Sequence, residues 1–247
     1  MKKVFVCIFA AMAMTANAQV VKVGDIVPYG DLNLEVMSLS PAEMRVTESP
    51  FAEGFVEIPD VVTHYDVDFT IVEIGPQAFS NGTDDNPAIT GVSIPNTIRE
   101  IGWQAFLSCN RIEKLHLPAS LKKIGNAAFW CYADKPSILS EITCDATMPP
   151  SCGEMVFGTS YNSVHGISPE IPVYVPKGCV EAYKAAKGWN FFVNITDGEA
   201  PQGIEEVDAM VGLDITKPMY DMLGKKVTSD HKGMIIQGGR KIVVIEN

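Results

Sequence analysis

The chain has 247 residues, of which 47% are hydrophobic and 20% are charged, and its formal net charge at pH 7 is −11. This length and apolar content suffice for one large or two small domains, which excludes a chain that is disordered throughout. The chain is acidic and lacks the clustered lysine and arginine residues that neutralise phosphates, so no nucleic acid partner is expected.

Residues 1–18 are typical of a secretory signal peptide. Lys2 and Lys3 form a basic start, residues 4–14 form an apolar stretch, and Ala16 and Ala18 form a small-x-small cleavage site. We therefore predict export to the cell surface, the periplasm or the extracellular medium. No later apolar run has the length of a membrane-spanning helix, so no transmembrane span is expected after signal removal.

Residues 19–57 are predicted to form an N-terminal cap made of β-strands. Apolar and polar residues alternate from Gly30 onward, as in Leu32, Leu34 and Val36. A period of two is typical of strands with one buried face. The cap is expected to cover the first of the repeats that follow it.

A repeat dominates the middle of the chain. Residues 94–106 align with residues 117–129 at an offset of 23, and both segments contain Ile/Leu-Pro followed by Ile-Gly-x-x-Ala-Phe. An earlier half-copy occupies residues 71–79. Such fixed-period similarity is typical of solenoids, in which each unit buries its apolar face by stacking on its neighbours. We predict a solenoid over residues 58–195.

Each repeat is predicted to contain one short strand, within residues 89–94, 112–117 and 139–144. Alternation places one set of side chains inward, namely Val92, Ile94, Leu115, Leu117, Ile142 and Cys144. Gly102 and Gly125 are expected to allow a tight backbone bend before Ala-Phe enters the core.

The outward strand residues form a candidate binding face, consisting of Thr90, Ser93, Glu113, Lys114, His116, Ser140, Glu141 and Thr143. Any solvated strand carries similar residues, so simple solvation stays open as an alternative. Trp103, Trp130 and Tyr132 form a candidate aromatic patch that could stack on a sugar or contact a partner, with buried packing as the alternative for the tryptophans.

These motifs resemble the BspA-like leucine-rich repeats of exported bacterial surface proteins, whose signature is the Ile/Leu-Pro strand end followed by Ile-Gly-x-x-Ala-Phe. The resemblance implies a mainly β chain with short helices, built as a leucine-rich-repeat solenoid with an N-terminal β cap. It also implies a structural role for Cys109 and Cys131, and an adhesion function. Residues 171–184 resemble a closing repeat, with a short helix over residues 180–186.

The chain after the solenoid is predicted to contain a linker and a small β module. Residues 196–211 are rich in glycine, proline and acidic side chains, as linkers are. Residues 212–247 resemble the C-terminal sorting-type β domains of exported Bacteroidetes proteins. Trp189, Phe191 and Phe192, which precede the linker, are expected to cap the apolar end of the repeat stack.

No residue pattern predicts catalysis, a metal site or a cofactor. The four histidines lack metal-ligand spacing, and the five cysteines after residue 18 lack Cys-x-x-Cys spacing, so buried thiols are expected. We predict a non-catalytic recognition or adhesion protein that binds an extracellular protein or glycan through the solenoid face, with no particular oligomeric state implied. The alternative is an extracellular hydrolase, which would need two carboxylates facing one cleft.

Overall fold

A computed structural model describes residues 20–80, 89–131, 137–157 and 166–198, together with four strands between residues 219 and 244. The predicted signal peptide and residues 199–211 of the predicted linker lie outside the described residues.

The N-terminal part consists of six strands, and all of them except β4 belong to one sheet. They are β1 (Ile26–Tyr29), β2 (Leu32–Leu39), β3 (Ala42–Thr47), β4 (Gly54–Glu57), β5 (Val61–His64) and β6 (Val67–Ile74). β1, β2 and β3 are antiparallel neighbours, whereas β3 pairs in parallel with β6. The alternation predicted for β2 is present, because Leu32, Leu34 and Val36 are buried and the residues between them are partly exposed.

The repeats add short strands that stack in parallel. They are β7 (Ile89–Ser93), β8 (Glu100–Ile101), β9 (Lys114–Leu117), β10 (Lys123–Ile124), β11 (Glu141–Cys144), β12 (Ser151–Cys152), β13 (Pro172–Val175) and β14 (Asn194–Asp197). β6, β8, β10 and β12 extend the first sheet, and β9, β11, β13 and β14 form a second sheet. β4 pairs in parallel with β7 as a separate two-stranded sheet.

Two short helical segments close the stack. Helix α1 (Val180–Ala185) lies within the predicted helix, and a single 3₁₀ turn covers Trp189–Phe191. The prediction of a mainly β chain with short helices is therefore confirmed. Among the described residues, no helix has the length and apolar character needed to cross a membrane.

A ladder of aromatic rings runs through the core of the repeats. Phe79, Phe106, Phe129 and Phe157 come from successive Ala-Phe positions or their equivalent, and neighbouring ring centroids lie 5.2, 5.1 and 5.6 Å apart. Such offset stacking of rings stabilises a core beyond simple area burial.

The predicted aromatic end cap covers the last rung of this ladder. The ring centroid of Phe157 lies 5.3 Å from that of Trp189 and 5.0 Å from that of Phe192. Both capping side chains are buried, whereas Phe191 is only partly buried. The indole Nε1 of Trp189 donates a hydrogen bond to the Pro150 carbonyl at 2.9 Å, which satisfies its polar atom inside the core.

The expectation that Gly102 and Gly125 form the bend is wrong. The left-handed backbone lies two residues later in each turn, with φ of 52° at Gln104 and 53° at Ala127. The glycines occur instead where neighbouring turns touch. A Cβ atom on Gly102 would lie 2.6 Å from the Pro76 nitrogen, and one on Gly125 would lie 2.6 Å from the Trp103 nitrogen.

A row of charged side chains crosses the first sheet on the side away from the core. Backbone pairing places Glu35, Arg45, Glu73, Glu100 and Lys123 side by side on successive strands. Arg45 Nη2 lies 2.7 Å from Glu35, Arg45 Nη1 lies 3.6 Å from Glu73, and Lys123 Nζ lies 2.6 Å from Glu100. Cross-strand ion pairs of this kind contribute modestly to sheet stability.

Glu73 in this row makes stability depend on pH. Burial raises the pKa of its carboxyl group, Arg45 opposes that shift, and Glu100 adds to it. Because the folded-state pKa exceeds the unfolded value of about 4.3, lowering the pH through this window favours the folded chain. We expect Glu73→Gln to be more stable than the parent at pH 7, with the difference vanishing near pH 4. Urea unfolding at several pH values measures it.

The matched control for Glu73→Gln is Glu48→Gln, which neutralises an exposed carboxylate of the same region. It should change the free energy of unfolding by less than about 0.5 kcal/mol at either pH. A Glu73→Gln protein that is less stable than the parent at pH 7 would show that attraction to Arg45 outweighs the cost of burial.

The C-terminal part contains a four-stranded antiparallel sheet. Its strands are β15 (Met219–Asp221), β16 (Lys226–Val227), β17 (Gly233–Gln237) and β18 (Arg240–Val244), in the spatial order β16, β15, β17, β18. This sheet lies within the small β module predicted for residues 212–247.

Candidate functional site

The outward side chains of β7, β9, β11, β13 and β14 form a surface that we call the outer face. Its counterpart is the core side of the same strands, where Leu115, Leu117, Ile142, Cys144 and Val173 are at most 2% exposed. Val92 is also buried, whereas Ile94 is only partly buried against the core. Because these side chains are buried in the core, only the alternate residues of each strand remain available to a partner.

All eight residues of the candidate binding face lie on or beside these strands with some exposure. Six are exposed, namely Thr90, Ser93, Glu113, Lys114, His116 and Ser140. Glu141 and Thr143 are half-buried, because strands pair with β11 on both sides.

Backbone register assembles a row of polar and aromatic side chains across the outer face. Thr143 lies between His116 and Tyr174, and Tyr174 lies beside Thr196 on the last strand. Parallel pairing places such residues about 4.8 Å apart from strand to strand. The row therefore presents two hydroxyls, an imidazole and a phenol in a line.

Two polar side-chain pairs lie at the β9 end of this surface. His116 Nε2 lies 2.6 Å from Asp145 Oδ2, and Lys114 Nζ lies 3.1 Å from Glu141 Oε1. His116 and Asp145 remain 65% and 49% exposed, so their pairing leaves polar atoms open to solvent or to a ligand. Exposed pairs of this kind contribute little to stability.

Sequence reasoning missed Tyr174, Asn194 and Thr196 on this face. The strands β13 and β14 lie beyond the recognisable Ala-Phe copies, so no alignment pointed to them. A usable signal was present at β13, where Pro172 and Pro176 bracket a strand in which Val173 and Val175 point inward. Strand alternation alone would have assigned Tyr174 to the outer face.

The residues of the candidate aromatic patch have different environments. Trp103 is 46% exposed, Trp130 is half-buried, and Tyr132 lies outside the described residues. Trp103 lies two residues after the end of β8, whereas Trp130 follows the core residue Phe129. The two tryptophans therefore occupy non-equivalent positions in their repeats.

The five described cysteines carry free thiols that serve packing. Burial raises the pKa of Cys131 and Cys144 to about 11 and the pKa of Cys152 to about 12. Cys109 has its thiol pKa raised further by burial, and its Sγ donates to the Phe79 carbonyl at 3.0 Å. Such thiols stay protonated at neutral pH and are poor nucleophiles. The expectation of buried thiols is confirmed for Cys109, Cys131 and Cys144, whereas Cys152 and Cys179 are only half-buried.

Comparison with known families agrees with the repeat seen in the structure. The family model described as "BspA type Leucine rich repeat region (6 copies)" matches residues 61–161. Residues 61–161 of this chain are BspA-type leucine-rich repeats. No curated protein sequence matches the chain.

Three solved structures show partial similarity to this chain. A leucine-rich repeat protein from Bacteroides capillosus shares 20% identity, with a TM-score of 0.37, over 48% of this chain and 97% of that one. The pneumococcal vaccine antigen PcpA shares 20% identity, with a TM-score of 0.39, over 65% of this chain and 52% of the antigen. A leucine-rich cell surface protein from Faecalibacterium prausnitzii shares 15% identity, with a TM-score of 0.39, over 71% of this chain and 55% of that one. This chain spans about half the length of the last two.

Proposed function

We propose that this BspA-type repeat protein is an exported, non-catalytic recognition protein that binds an extracellular protein or glycan through its outer face. The row formed by His116, Thr143, Tyr174 and Thr196 carries the proposal. Backbone pairing aligns these side chains on neighbouring strands, and the opposite side of each strand is buried in the core. A surface organised in this way needs no rearrangement before binding, which lowers the entropic cost of association.

The chemistry of this row suits a polar ligand. Tyr174 supplies an aromatic face for stacking, while two threonine hydroxyls, an imidazole and the Asp145 carboxylate supply hydrogen-bonding groups. Sugars and the polar side chains of proteins both combine apolar surfaces with hydroxyl or amide groups. Trp103, Trp130 and Tyr132 remain a proposed additional aromatic contact.

Two segments at the ends of the sequence support export of the protein. Residues 1–18 have the basic, apolar and small-residue order of a signal peptide, and residues 212–247 resemble a sorting domain. We infer localisation at the cell surface, in the periplasm or outside the cell.

The test is binding of the full chain to a glycan array and to a panel of extracellular matrix proteins. We expect selective binding to at least one of these probes. Tyr174→Ala and His116→Ala should each weaken that binding about tenfold, as loss of a central contact residue does. Trp103→Ala in the same assay tests the aromatic patch.

The matched control is Lys122→Ala, which changes an exposed residue beside β10 of the first sheet. It should leave the affinity unchanged. Absence of binding to every probe, or binding that both outer-face variants leave intact, would contradict the proposed function.

A further inference from the structure

A cavity of about 190 Å³ lies between the β1–β2 turn and strand β4. The turn contributes one wall and the segment from Ala52 to Glu57 contributes the other. Its lining includes Tyr29, Asp31, Glu53, Phe55 and Glu57. The volume is smaller than that of a usual small-molecule site, at roughly 300–1,000 Å³, but it suffices for one long amino acid side chain.

Strand β4 beside this cavity has one free edge. It pairs with β7 on one side, and no strand among the described residues pairs with its other side. Ile58, just after β4, donates its N–H to the Ser93 carbonyl of β7 at 3.1 Å. Because hydrogen-bonding direction alternates along a strand, the N–H and C=O groups of Phe55 and Glu57 face the free edge. Such an edge is a ready template for an added strand.

Aromatic side chains at the cavity are exposed although they are large and apolar. Phe55 is 66% exposed and Tyr29 is 47% exposed. The Phe55 ring is nevertheless held in place, because it lies over Gly91 of β7, where a Cβ atom would come within 2.7 Å of Phe55 Cδ2. The molecule thus presents a positioned aromatic ring to solvent, which is the surface that a cation or an apolar chain contacts.

The charge of the cavity selects among possible occupants. Three of its lining residues are carboxylates, Asp31, Glu53 and Glu57, and none is basic. Within the part of the chain that the structure describes, none of the three forms an ion pair. Acidic groups next to exposed aromatic rings complement a cationic side chain with a long apolar stem, and lysine and arginine have that composition.

We propose that the free edge of β4 binds an extended peptide as an added strand, with a lysine or arginine side chain of that peptide in the adjoining cavity. Main-chain hydrogen bonds to Phe55 and Glu57 supply the affinity. The three carboxylates and the rings of Tyr29 and Phe55 supply the selectivity. The site is separate from the row on the outer face, so it holds or fails independently of the proposed function.

The experiment measures binding of the full chain to labelled octapeptides of alternating threonine and valine by fluorescence anisotropy. One position at a time carries lysine, arginine, glutamate or norleucine. We expect the best lysine or arginine peptide to bind at least about tenfold more tightly than its glutamate counterpart. Only one of the two alternating sets of peptide N–H groups faces β4. N-methylation of the amides in that set should therefore abolish binding, whereas N-methylation of the other set should leave binding intact.

Variants locate the site on the protein. The double change Glu53→Lys and Glu57→Lys should weaken binding at least about tenfold, and Phe55→Ala should weaken it several-fold. Phe55 is mostly exposed, so its replacement leaves the core intact. Glu48→Lys is the matched control, because it reverses an exposed charge that does not line the cavity, and it should leave the affinity within about twofold.

Four outcomes would overturn this proposal. Equal binding of lysine and glutamate peptides would remove the charge selectivity, and binding that survives Phe55→Ala and the double lysine change would place the peptide elsewhere. Self-association of the full chain that Phe55→Ala dissolves, measured by sedimentation, would assign the edge to a second copy of the chain. Absence of binding to every peptide would have the same force.

Discussion

Phe106→Ala is expected to lower the free energy of unfolding by about 3–5 kcal/mol. The side chain is 1% exposed, and its ring stacks between those of Phe79 and Phe129 at 5.2 and 5.1 Å. Removing it deletes the apolar contacts of the ring and leaves a cavity that the rigid turns on either side cannot close. Urea unfolding followed by circular dichroism measures the change.

The position of Phe106 within the stack increases the effect. In a solenoid each unit is stabilised chiefly by its interfaces with its two neighbours, and this ring belongs to both interfaces of its turn. We therefore expect the transition to lose cooperativity as well as stability, which a lower dependence of the free energy on urea would report.

The matched control is Phe51→Ala, which removes the same atoms from a side chain that is 76% exposed. It should change the free energy of unfolding by less than about 0.5 kcal/mol. Equal losses for the two variants would mean that the ring ladder does not stabilise the stack.

The repeat strands could be predicted from sequence because two independent patterns agree there. Alternation assigns Leu115 and Leu117 to the core, and the recurrence of the same apolar spacing in residues 112–117 and 139–144 assigns their neighbours in the stack. In the structure, Leu115 and Leu117 pair with Ile142 and Cys144 of the next turn, as the aligned positions require. The inward side of the face follows from these patterns alone.

Other features depend on contacts that no local pattern contains. Tyr174 joins the row on the outer face because β13 pairs with β11, although the two segments share no Ala-Phe motif. The cavity beside β4 likewise forms between the β1–β2 turn and a strand that pairs with β7. Residues such as Asp31 and Glu57 are distant in sequence and come together only through packing, so their combination was invisible in the chain.

The sequence singles out the repeat glycines, Gly102 and Gly125, but it does not show which structural role they have. Glycine is the usual residue at positive φ, so the sequence alone predicts that glycine forms the bend. The structure places Gln104 and Ala127 at positive φ and reserves glycine for the contact between turns. The sequence shows that glycine has no side chain at these positions, but only the structure shows that a Cβ atom there would clash with the backbone of the neighbouring turn.

Gly102→Ala tests this assignment through the sign of its effect. At a position with ordinary φ, replacing glycine by alanine stabilises a protein by about 0.4–1 kcal/mol, because the unfolded chain loses conformational freedom. Here we expect the opposite, a loss of about 3 kcal/mol, since the new Cβ would lie 2.6 Å from the Pro76 nitrogen and 2.7 Å from the Gly75 carbonyl carbon. Backbone atoms cannot rotate away as a side chain can, so the two turns must separate. That movement weakens the hydrogen bond from Gly102 N–H to the Ile74 carbonyl, now 2.7 Å long.

Gln104→Gly is the matched change at the residue that does have positive φ, and thermal and urea unfolding of both variants should separate the two roles. Glycine relieves a left-handed conformation that costs other residues about 1–2 kcal/mol, and it adds roughly 0.5–1 kcal/mol of unfolded-state freedom. We therefore expect Gln104→Gly to leave stability unchanged or to raise it by up to about 1.5 kcal/mol. If Gly102→Ala were instead neutral or stabilising, the turns would have room for a side chain at this position, and close packing between repeats would not explain the glycine.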